Sequence, residues 1–219
     1  MPNTSNPNER VGWELIWRHG NGHPRYGSYA SPDAAVTDWA TALPAGGFVL
    51  DLGCGVGRHV VWLGGCGFRM AGIDISPSGI RLTREACADR GIDFEGQVSD
   101  MTTLPWADST FDAALSISTI HHHQRQGIVR TLEQVRRVLK PGGLLLVDFP
   151  CTDTLDWFGE GPKKKFPRLL LGRSSPPEIA SSVSSGLEAL RRNRNGATIC
   201  DTSARKRTTR STHYAPAHS

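Results

Sequence analysis

A glycine-rich turn at residues 53–57 separates a short apolar run from a helical pattern. The apolar run covers residues 48–52, and the turn contributes Gly53, Gly55 and Gly57. Glycine lets a backbone bend tightly and approach a ligand at distances that a Cβ atom would forbid. A helix that starts directly after such a turn presents unpaired N–H groups to the same ligand. This segment therefore predicts a ligand-binding connection between a strand and a helix.

The same alternation of apolar runs and helical patterns continues along the chain. Strands are predicted at residues 48–52, 69–74, 92–98, 111–117 and 144–149, and helices at 58–65, 77–90 and 125–139. A further helix is expected before the first strand, with Ser31 as N-cap and Pro32 as its first residue. Continuous apolar strands that alternate with helices favour an α/β fold whose parallel sheet is covered on both faces. All strands then end at one edge, where ligands bind.

Two acidic residues follow strands at that edge. Asp74 ends the second strand, where a carboxylate can accept hydrogen bonds from both hydroxyls of a ribose. The competing interpretation is that Asp74 caps the next helix. Asp100 follows the third strand and can accept the exocyclic amine of adenine while Met101 packs on the ring, or can simply stabilise a turn. A dinucleotide site would require a third glycine at position 58, and Arg58 there disfavours an NAD-dependent oxidoreductase.

Composition divides the chain into three parts. Residues 1–30 are interpreted as a disordered start, up to residue 12, followed by an irregular cap or lid. Residues 31–158 form the predicted ligand-binding domain. Residues 159–219 are rich in Ser, Pro and basic residues and are expected to be poorly ordered. Residues 151–219 carry 12 Lys and Arg against 6 Asp and Glu, so they hold the whole positive excess of the chain.

Cysteine usage and hydropathy indicate the compartment. The five cysteines show no CxxC spacing, which argues against a disulfide framework and against a zinc knuckle. No apolar run approaches the ~20 residues that a membrane helix needs, and the first ten residues lack the apolar segment of a signal peptide. The sequence therefore predicts a soluble, cytoplasmic protein with no membrane partner.

Five segments of the predicted ligand-binding domain resemble, in order and spacing, successive motifs of the class I S-adenosylmethionine-dependent methyltransferase superfamily. They are VLDLGCGVGRH, AGIDIS, SDMTTLPWADSTFDAALS, STIHHH and RVLKPGGLLLVDF, and they cover about residues 48–149. The resemblance implies a Rossmann-like, doubly wound, mostly parallel sheet and the cofactor S-adenosyl-L-methionine. It also implies the cofactor-binding residues, namely Asp51, Gly53, Gly55, Gly57, Asp74, Ile75, Asp100, Met101, Ser116 and Ile117.

The resemblance assigns parts of the cofactor to parts of this set. The methionine end would lie by Asp51, Gly53 and Gly55, the ribose on Asp74, and the adenine beside Asp100 and its neighbours. The superfamily ordinarily completes its sheet with an antiparallel pair after the fifth strand. Residues 160–219 offer no two convincing strands, so we expect this C-terminal antiparallel edge to be incomplete or divergent, with the fifth strand exposed.

The methyl acceptor is less well indicated. The segment from His121 to Arg125 is similar to the HH-x-x-R pattern of methyltransferases that complete modified wobble uridines in tRNA, a pattern that many small-molecule methyltransferases share. His121 is a weak candidate base, or a side chain hydrogen-bonded between sheet and helix. Three consecutive histidines cannot all face one metal ion, so no metal site is predicted. Candidate substrate residues lie in the lid: Trp17, His23, Arg25 and Tyr26.

A small-molecule acceptor is the first hypothesis for the function. A tRNA acceptor held by the basic C-terminal region is the alternative. A third hypothesis is a catalytically impaired remnant that still binds the cofactor.

Overall fold

The structure is a computed structural model and describes residues 7–18, 31–149 and 168–171. These residues form a sheet with the strand order β3-β2-β1-β4-β5-β6. Its strands are β1 Phe48–Leu52, β2 Arg69–Asp74, β3 Phe94–Val98, β4 Phe111–Ser116, β5 Leu139–Asp148 and β6 Arg168–Leu171. The first five strands are parallel, and β6 pairs antiparallel with β5. The predicted α/β fold with a mostly parallel sheet is confirmed.

Helices cover both faces of this sheet. They are α1 Pro7–Arg18, α2 Ala34–Ala40, α3 Arg58–Gly65, α4 Pro77–Ala88, a 3₁₀ helix Ile120–His122 and α5 Arg125–Val138. Strand β1 alternates between two cores: Val49 packs in one cluster with residues of α2, α3 and α4, whereas Leu50 and Leu52 pack in another with residues of α5. This alternation is the period of two that a strand imposes on its side chains. The sheet is therefore doubly wound.

The helix starts were predicted with mixed success. The start of α4 is confirmed, since Ser76 is its N-cap, accepts a hydrogen bond from the Gly79 N–H at 3.1 Å, and is followed by Pro77. The start of α2 was wrong. Asp33 rather than Ser31 is the N-cap, because its carboxylate accepts the Ala35 N–H at 2.9 Å.

Helix α1 corrects the interpretation of the N-terminal region. Residues 1–12 were expected to be disordered and residues 13–30 irregular, whereas Pro7–Arg18 form a helix of 12 residues. The helix is docked on α4 through Glu14, which accepts hydrogen bonds from the Ser76 hydroxyl and from the N–H and hydroxyl of Ser78. A tertiary contact of this kind leaves no local pattern in the sequence. The rest of the predicted lid, residues 19–30, lies outside the described residues.

The fifth strand is longer than predicted and is not an exposed edge. It starts at Leu139, which pairs with Phe111, and its ladder resumes at Leu144 opposite Ala113, so residues 140–143 form an irregularity within the strand. On its other side, the segment from Leu145 to Asp148 pairs with β6. The expectation of an unpaired fifth strand is therefore wrong over this segment. The helix expected near residues 179–190 and the weak strand candidate at 196–200 lie outside the described residues.

Candidate functional site

The glycine-rich turn accepts only glycine at several positions. Gly53, Gly55 and Gly57 have φ values of 71°, 54° and 85°, a region that L-amino acids with side chains rarely adopt. A Cβ atom on Gly53 would overlap Thr119 Cγ2, and one on Gly57 would lie 2.7 Å from Thr83 Cγ2. Backbone conformation and crowding by neighbouring side chains therefore both require glycine at positions 53 and 57.

Asp74 ties the turn to the second strand. Its Oδ2 accepts the Gly55 N–H at 2.8 Å, and its Oδ1 accepts the Ser76 N–H at 2.8 Å. Burial raises the pKa of Asp74 to about 6, although these backbone hydrogen bonds oppose the increase. Asp74 therefore stabilises the turn that leads into α4, whose N-cap is Ser76, and it also lines the crevice.

A crevice opens at the carboxyl ends of β1, β2 and β4, where the strand order reverses. It is lined by Trp13, Trp17, Gly53, Cys54, Gly55, Arg58, His59, Ile73, Asp74, Ile75, Ser99, Asp100, Met101, Ile117, Ser118, Thr119, His122 and His123. Seven of the ten predicted cofactor residues are in this set. The other three, Asp51, Gly57 and Ser116, are buried and do not line the crevice.

Asp100 and Met101 follow the C-terminal end of β3, as expected from the sequence. The Oδ1 atom of Asp100 accepts the Thr102 N–H at 2.8 Å, so this carboxylate stabilises its own turn. The Nε2 atom of His123 lies 3.9 Å from the same oxygen. Asp100 therefore both stabilises its own turn and lines the crevice.

Asp51 and His59 form a buried polar pair behind the turn. Asp51 is 2% exposed and His59 is 6% exposed, and the His59 Nδ1 atom lies 3.8 Å from the Asp51 Oδ2 atom. Asp51 Oδ2, His59 Nε2 and the Ser116 hydroxyl have no hydrogen-bond partner within the described part of the chain. Unpartnered buried polar atoms are costly, so the neighbouring Asp51 and His59 side chains are candidates for contacts that a ligand completes.

Helix α1 places an aromatic wall over the crevice. Trp17 is buried against the turn, and a Cβ atom on Gly55 would lie 3.1 Å from its ring. Trp13 stacks on Trp17 at a centroid distance of 6.2 Å and meets His122 edge-on at 4.9 Å. Trp17 was predicted as a substrate residue, whereas the other three substrate candidates, His23, Arg25 and Tyr26, lie outside the described residues.

The three consecutive histidines occupy different environments. His122 and His123 line the crevice, whereas His121 does not and packs on His122 at a centroid distance of 4.5 Å. Burial lowers the pKa of His121, so its imidazole is neutral at physiological pH. The sequence interpretation singled out His121 alone as a candidate base. Chain spacing alone does not tell which of the three side chains reaches the crevice.

A strained segment after β4 was missed by the sequence interpretation. Ser118 has a φ of 57°, and its N–H donates to Asp148 Oδ1 at 2.6 Å. The Ser118 hydroxyl donates to Asp148 Oδ2 at 3.3 Å. Non-glycine residues in this conformation persist where surrounding contacts fix them, often at functional sites. The acid at the end of the fifth strand was the available signal in the sequence.

The described ranges contain no group of three His, Cys, Asp or Glu side chains placed to hold a metal ion. Within those ranges no helix combines the length and apolar character needed to cross a membrane.

Fold and crevice together define a doubly wound α/β ligand-binding domain. Residues 49–143 match the family model described as a methyltransferase domain. The chain belongs to the class I S-adenosylmethionine-dependent methyltransferases.

Two curated relatives and one solved structure illustrate the range of this family. A tRNA (carboxymethyluridine(34)-5-O)-methyltransferase from Arabidopsis thaliana is 35% identical over 51% of this chain and 26% of its own length. Methyltransferase GfsG from Streptomyces halstedii is 35% identical over 51% of this chain and 41% of its own length. The PH0226 protein from Pyrococcus horikoshii OT3 is 30% identical, with a TM-score of 0.50 over 64% of this chain and 72% of that one. The chain thus spans less than half of the two curated relatives.

Proposed function

We propose that this chain binds S-adenosyl-L-methionine in the crevice and transfers its methyl group to an acceptor. The observation that carries the proposal is the turn itself. Gly53 and Gly57 stand where neighbouring side chains leave no room for a Cβ atom. Asp74 joins the turn to the neighbouring strand by accepting the Gly55 N–H. This pairing lies at the switch point of the sheet, where α/β folds bind nucleotides.

The residues present fit such a cofactor. Gly53 and Gly55 supply the close backbone approach, and Asp74 and Asp100 supply carboxylates at the ends of two strands. Ile75 and Met101 supply apolar surface for an adenine ring. Asp51, just before the turn, and Ser116, at the end of β4, each have an unpartnered buried oxygen that would supply a polar contact for the amino-acid end.

The cofactor would supply an electrophilic methyl group on a sulfonium. The protein then has to align the acceptor with that group, and alignment alone removes a large part of such a barrier. Trp13 and Trp17 add apolar surface to the wall of the crevice. Where the acceptor nucleophile is protonated, His122 and His123 are better placed than His121 to receive the proton, because both line the crevice.

Calorimetric titration tests the cofactor assignment. S-adenosyl-L-methionine and its demethylated product should bind, and NAD should not. The Asp74→Asn variant should weaken binding at least about tenfold through loss of a charge-assisted hydrogen bond. Asp89→Asn, at the exposed end of α4, is the matched control and should bind as the unmodified protein does. Binding of NAD with no heat from the sulfonium compound would contradict the proposal.

A small molecule is the acceptor class that we propose, and tRNA is the second candidate. The tRNA candidate is favoured by the activity for which the Arabidopsis relative is named and by the basic residues 151–219. A tRNA-binding protein loses affinity steeply with salt because counterions are released from the phosphates. Affinity for tRNA that is absent, or unchanged between about 0.05 and 0.2 M salt, would contradict this second candidate.

The catalytically impaired alternative predicts a different result. It requires cofactor binding without methyl transfer to any member of an acceptor panel that includes amines, phenols, thiols and tRNA.

The division of the chain at residues 30 and 158 and the cytoplasmic location stay predictions. Limited proteolysis with cleavage beyond residue 158 and a stable remaining fragment would support that division.

A further inference from the structure

Asp51 is buried without the partner that a carboxylate needs. Only 2% of its surface is exposed, and its Oδ2 atom has no hydrogen-bond partner among the described residues. The His59 Nδ1 atom lies 3.8 Å from Oδ2, which is beyond hydrogen-bonding distance. Burial removes this carboxyl group from bulk solvent, and its Oδ2 atom accepts no hydrogen bond from a described residue, so the neutral form is favoured.

The surrounding charges do not remove this preference. The titratable groups that face Asp51 come from α3, from β2 and from the turn: Arg58, His59, Asp74 and Cys54. Burial raises the pKa of Asp51 to about 7, Arg58 opposes the increase, and Asp74 adds to it. Burial and Arg58 lower the pKa of His59 to about 3, so this imidazole is neutral and provides no counter-charge. Strand β4 pairs here through Leu115, which carries no charge.

We propose that Asp51 holds a proton in the ligand-free protein and releases it when a ligand with a primary ammonium group binds. The inference rests on the proposed cofactor, whose methionine end carries such a group. The ammonium group keeps its three hydrogens and donates one to the carboxylate. The carboxyl proton is released to solvent and taken up by the buffer. Binding therefore breaks one O–H bond and forms an ion pair between the carboxylate and the ammonium group. Asp51 does not itself line the crevice, but His59 does and its Nδ1 atom lies 3.8 Å from Asp51 Oδ2; Gly53, two residues after Asp51, lines the crevice as well.

A comparison of two ligands isolates the effect. S-adenosyl-L-homocysteine carries the ammonium group, whereas 5′-methylthioadenosine has a similar nucleoside without the amino-acid end. The nucleoside part reaches Asp74 in both cases, so protons released there are common to the two ligands. Titration calorimetry in two buffers of different ionisation enthalpy measures the protons released by each ligand.

Near pH 6, S-adenosyl-L-homocysteine should release about one proton more than 5′-methylthioadenosine, and near pH 8.5 the excess should vanish. Its affinity advantage over the nucleoside should fall about tenfold for each pH unit below 7. Asp51→Asn should abolish the excess release.

Equal proton release by the two ligands in the unmodified protein would overturn the inference, and so would an undiminished excess in the variant. This comparison within the unmodified protein does not depend on whether the variant folds. The absence of binding by either nucleoside would instead contradict the proposed function, so the two failures are distinguishable.

Discussion

At the scale of single residues, two glycine positions allow the cost of backbone strain to be distinguished from the cost of steric crowding. Gly57 and Gly91 both have positive φ values, 85° and 65°. A Cβ atom on Gly57 would lie 2.7 Å from Thr83 Cγ2, whereas one on Gly91 would meet nothing within 4 Å. The two positions therefore share a backbone cost and differ in packing.

Alanine at these two positions should separate the two costs. We expect Gly91→Ala to lower the free energy of unfolding by about 1 kcal/mol, from backbone strain alone. Gly57→Ala should cost about 3 kcal/mol, because overpacking against Thr83 adds to that strain. Urea unfolding at neutral pH measures both values. Equal losses would show that the region around Thr83 relaxes freely.

The buried Asp51 also links stability to pH. Its pKa is about 7 when folded against an ordinary value of 3.8, so the folded state holds the proton more tightly than the unfolded state. The stability that this proton contributes is complete below about pH 3.8 and is lost as the pH rises through 7. Asp51→Asn has no such proton. The unfolding free energy of the variant should therefore rise relative to the unmodified protein between about pH 5 and 7, by about 1.4 kcal/mol for each pH unit, and should level off above that range.

Unfolding experiments without ligand at several pH values test this relation. A stability difference between the two proteins that is independent of pH would contradict it. His59 titrates in the opposite direction, because its lowered pKa makes the folded protein lose stability as the pH falls from 6.5 toward 3. The comparison with Asp51→Asn cancels this contribution, since His59 is present in both proteins.

At the scale of elements, α1 shows what sequence patterns miss. Val11 and Leu15 are 60% and 52% exposed, whereas Trp17 is buried, so the apolar residues of this helix do not mark its packed face. Its position depends on Glu14 and the start of α4, 62 residues away. The central strands β1, β2 and β4, by contrast, were predicted because their burial is nearly continuous and local. The glycine turn and Asp74 were predicted because their spacing in the chain fixes their geometry.

The attachment of α1 can be tested at Glu14. The hydrogen bonds from Ser76 and Ser78 hold its pKa below the ordinary value, although burial acts to raise it. Glu14→Gln weakens these bonds, so amide exchange over residues 13–18 should accelerate about tenfold, as expected for loss of about 1.4 kcal/mol. Glu85→Gln, in an exposed pair with Arg81, should leave that exchange unchanged. Unaltered exchange in Glu14→Gln would show that other contacts hold the helix.

Side chains of α5 fasten the connection between β3 and β4, and Arg137 makes most of these hydrogen bonds. Arg137 donates to the backbone oxygens of Leu104 and Trp106 at 2.8 and 2.7 Å, and to the carboxylate of Asp108 at 2.9 Å. Arg137→Ala leaves two partly buried carbonyls without a donor and should cost about 2 kcal/mol. Arg136→Ala, one residue earlier and exposed, should cost less than about 0.5 kcal/mol.

The same variant pair should differ in ligand binding. The connection carries Asp100 and Met101 to the crevice, so Arg137→Ala should also weaken binding of 5′-methylthioadenosine. Calorimetry with this nucleoside provides the measurement. A large stability loss with unchanged affinity would show that the two crevice residues are held independently of Arg137.

At the scale of the whole molecule, the crevice and the core share the central strands. β1 lies between β2 and β4, contributes Leu50 to the core, and leads directly into the glycine turn. β3 lies at one edge of the described sheet, and its Val98 is 41% exposed. Strand order was not readable from the apolar pattern, because the pattern reports burial of each strand but not its neighbours. A ligand that binds at the centre should stabilise the fold as a unit.

Leu50→Ala and Val98→Ala test this coupling. Leu50→Ala should cost about 2–5 kcal/mol because it leaves a cavity in the centre of the sheet, whereas Val98→Ala should cost less than about 1 kcal/mol. S-adenosyl-L-homocysteine at a hundred times its Kd should restore about 2.7 kcal/mol to either variant, since it binds only the folded state. Thermal unfolding with and without the nucleoside measures both effects. The cavity in Leu50→Ala lies one residue from Asp51. If the ligand fully restores the stability of Val98→Ala but not that of Leu50→Ala, strand β1 must stay packed for the crevice to bind its ligand.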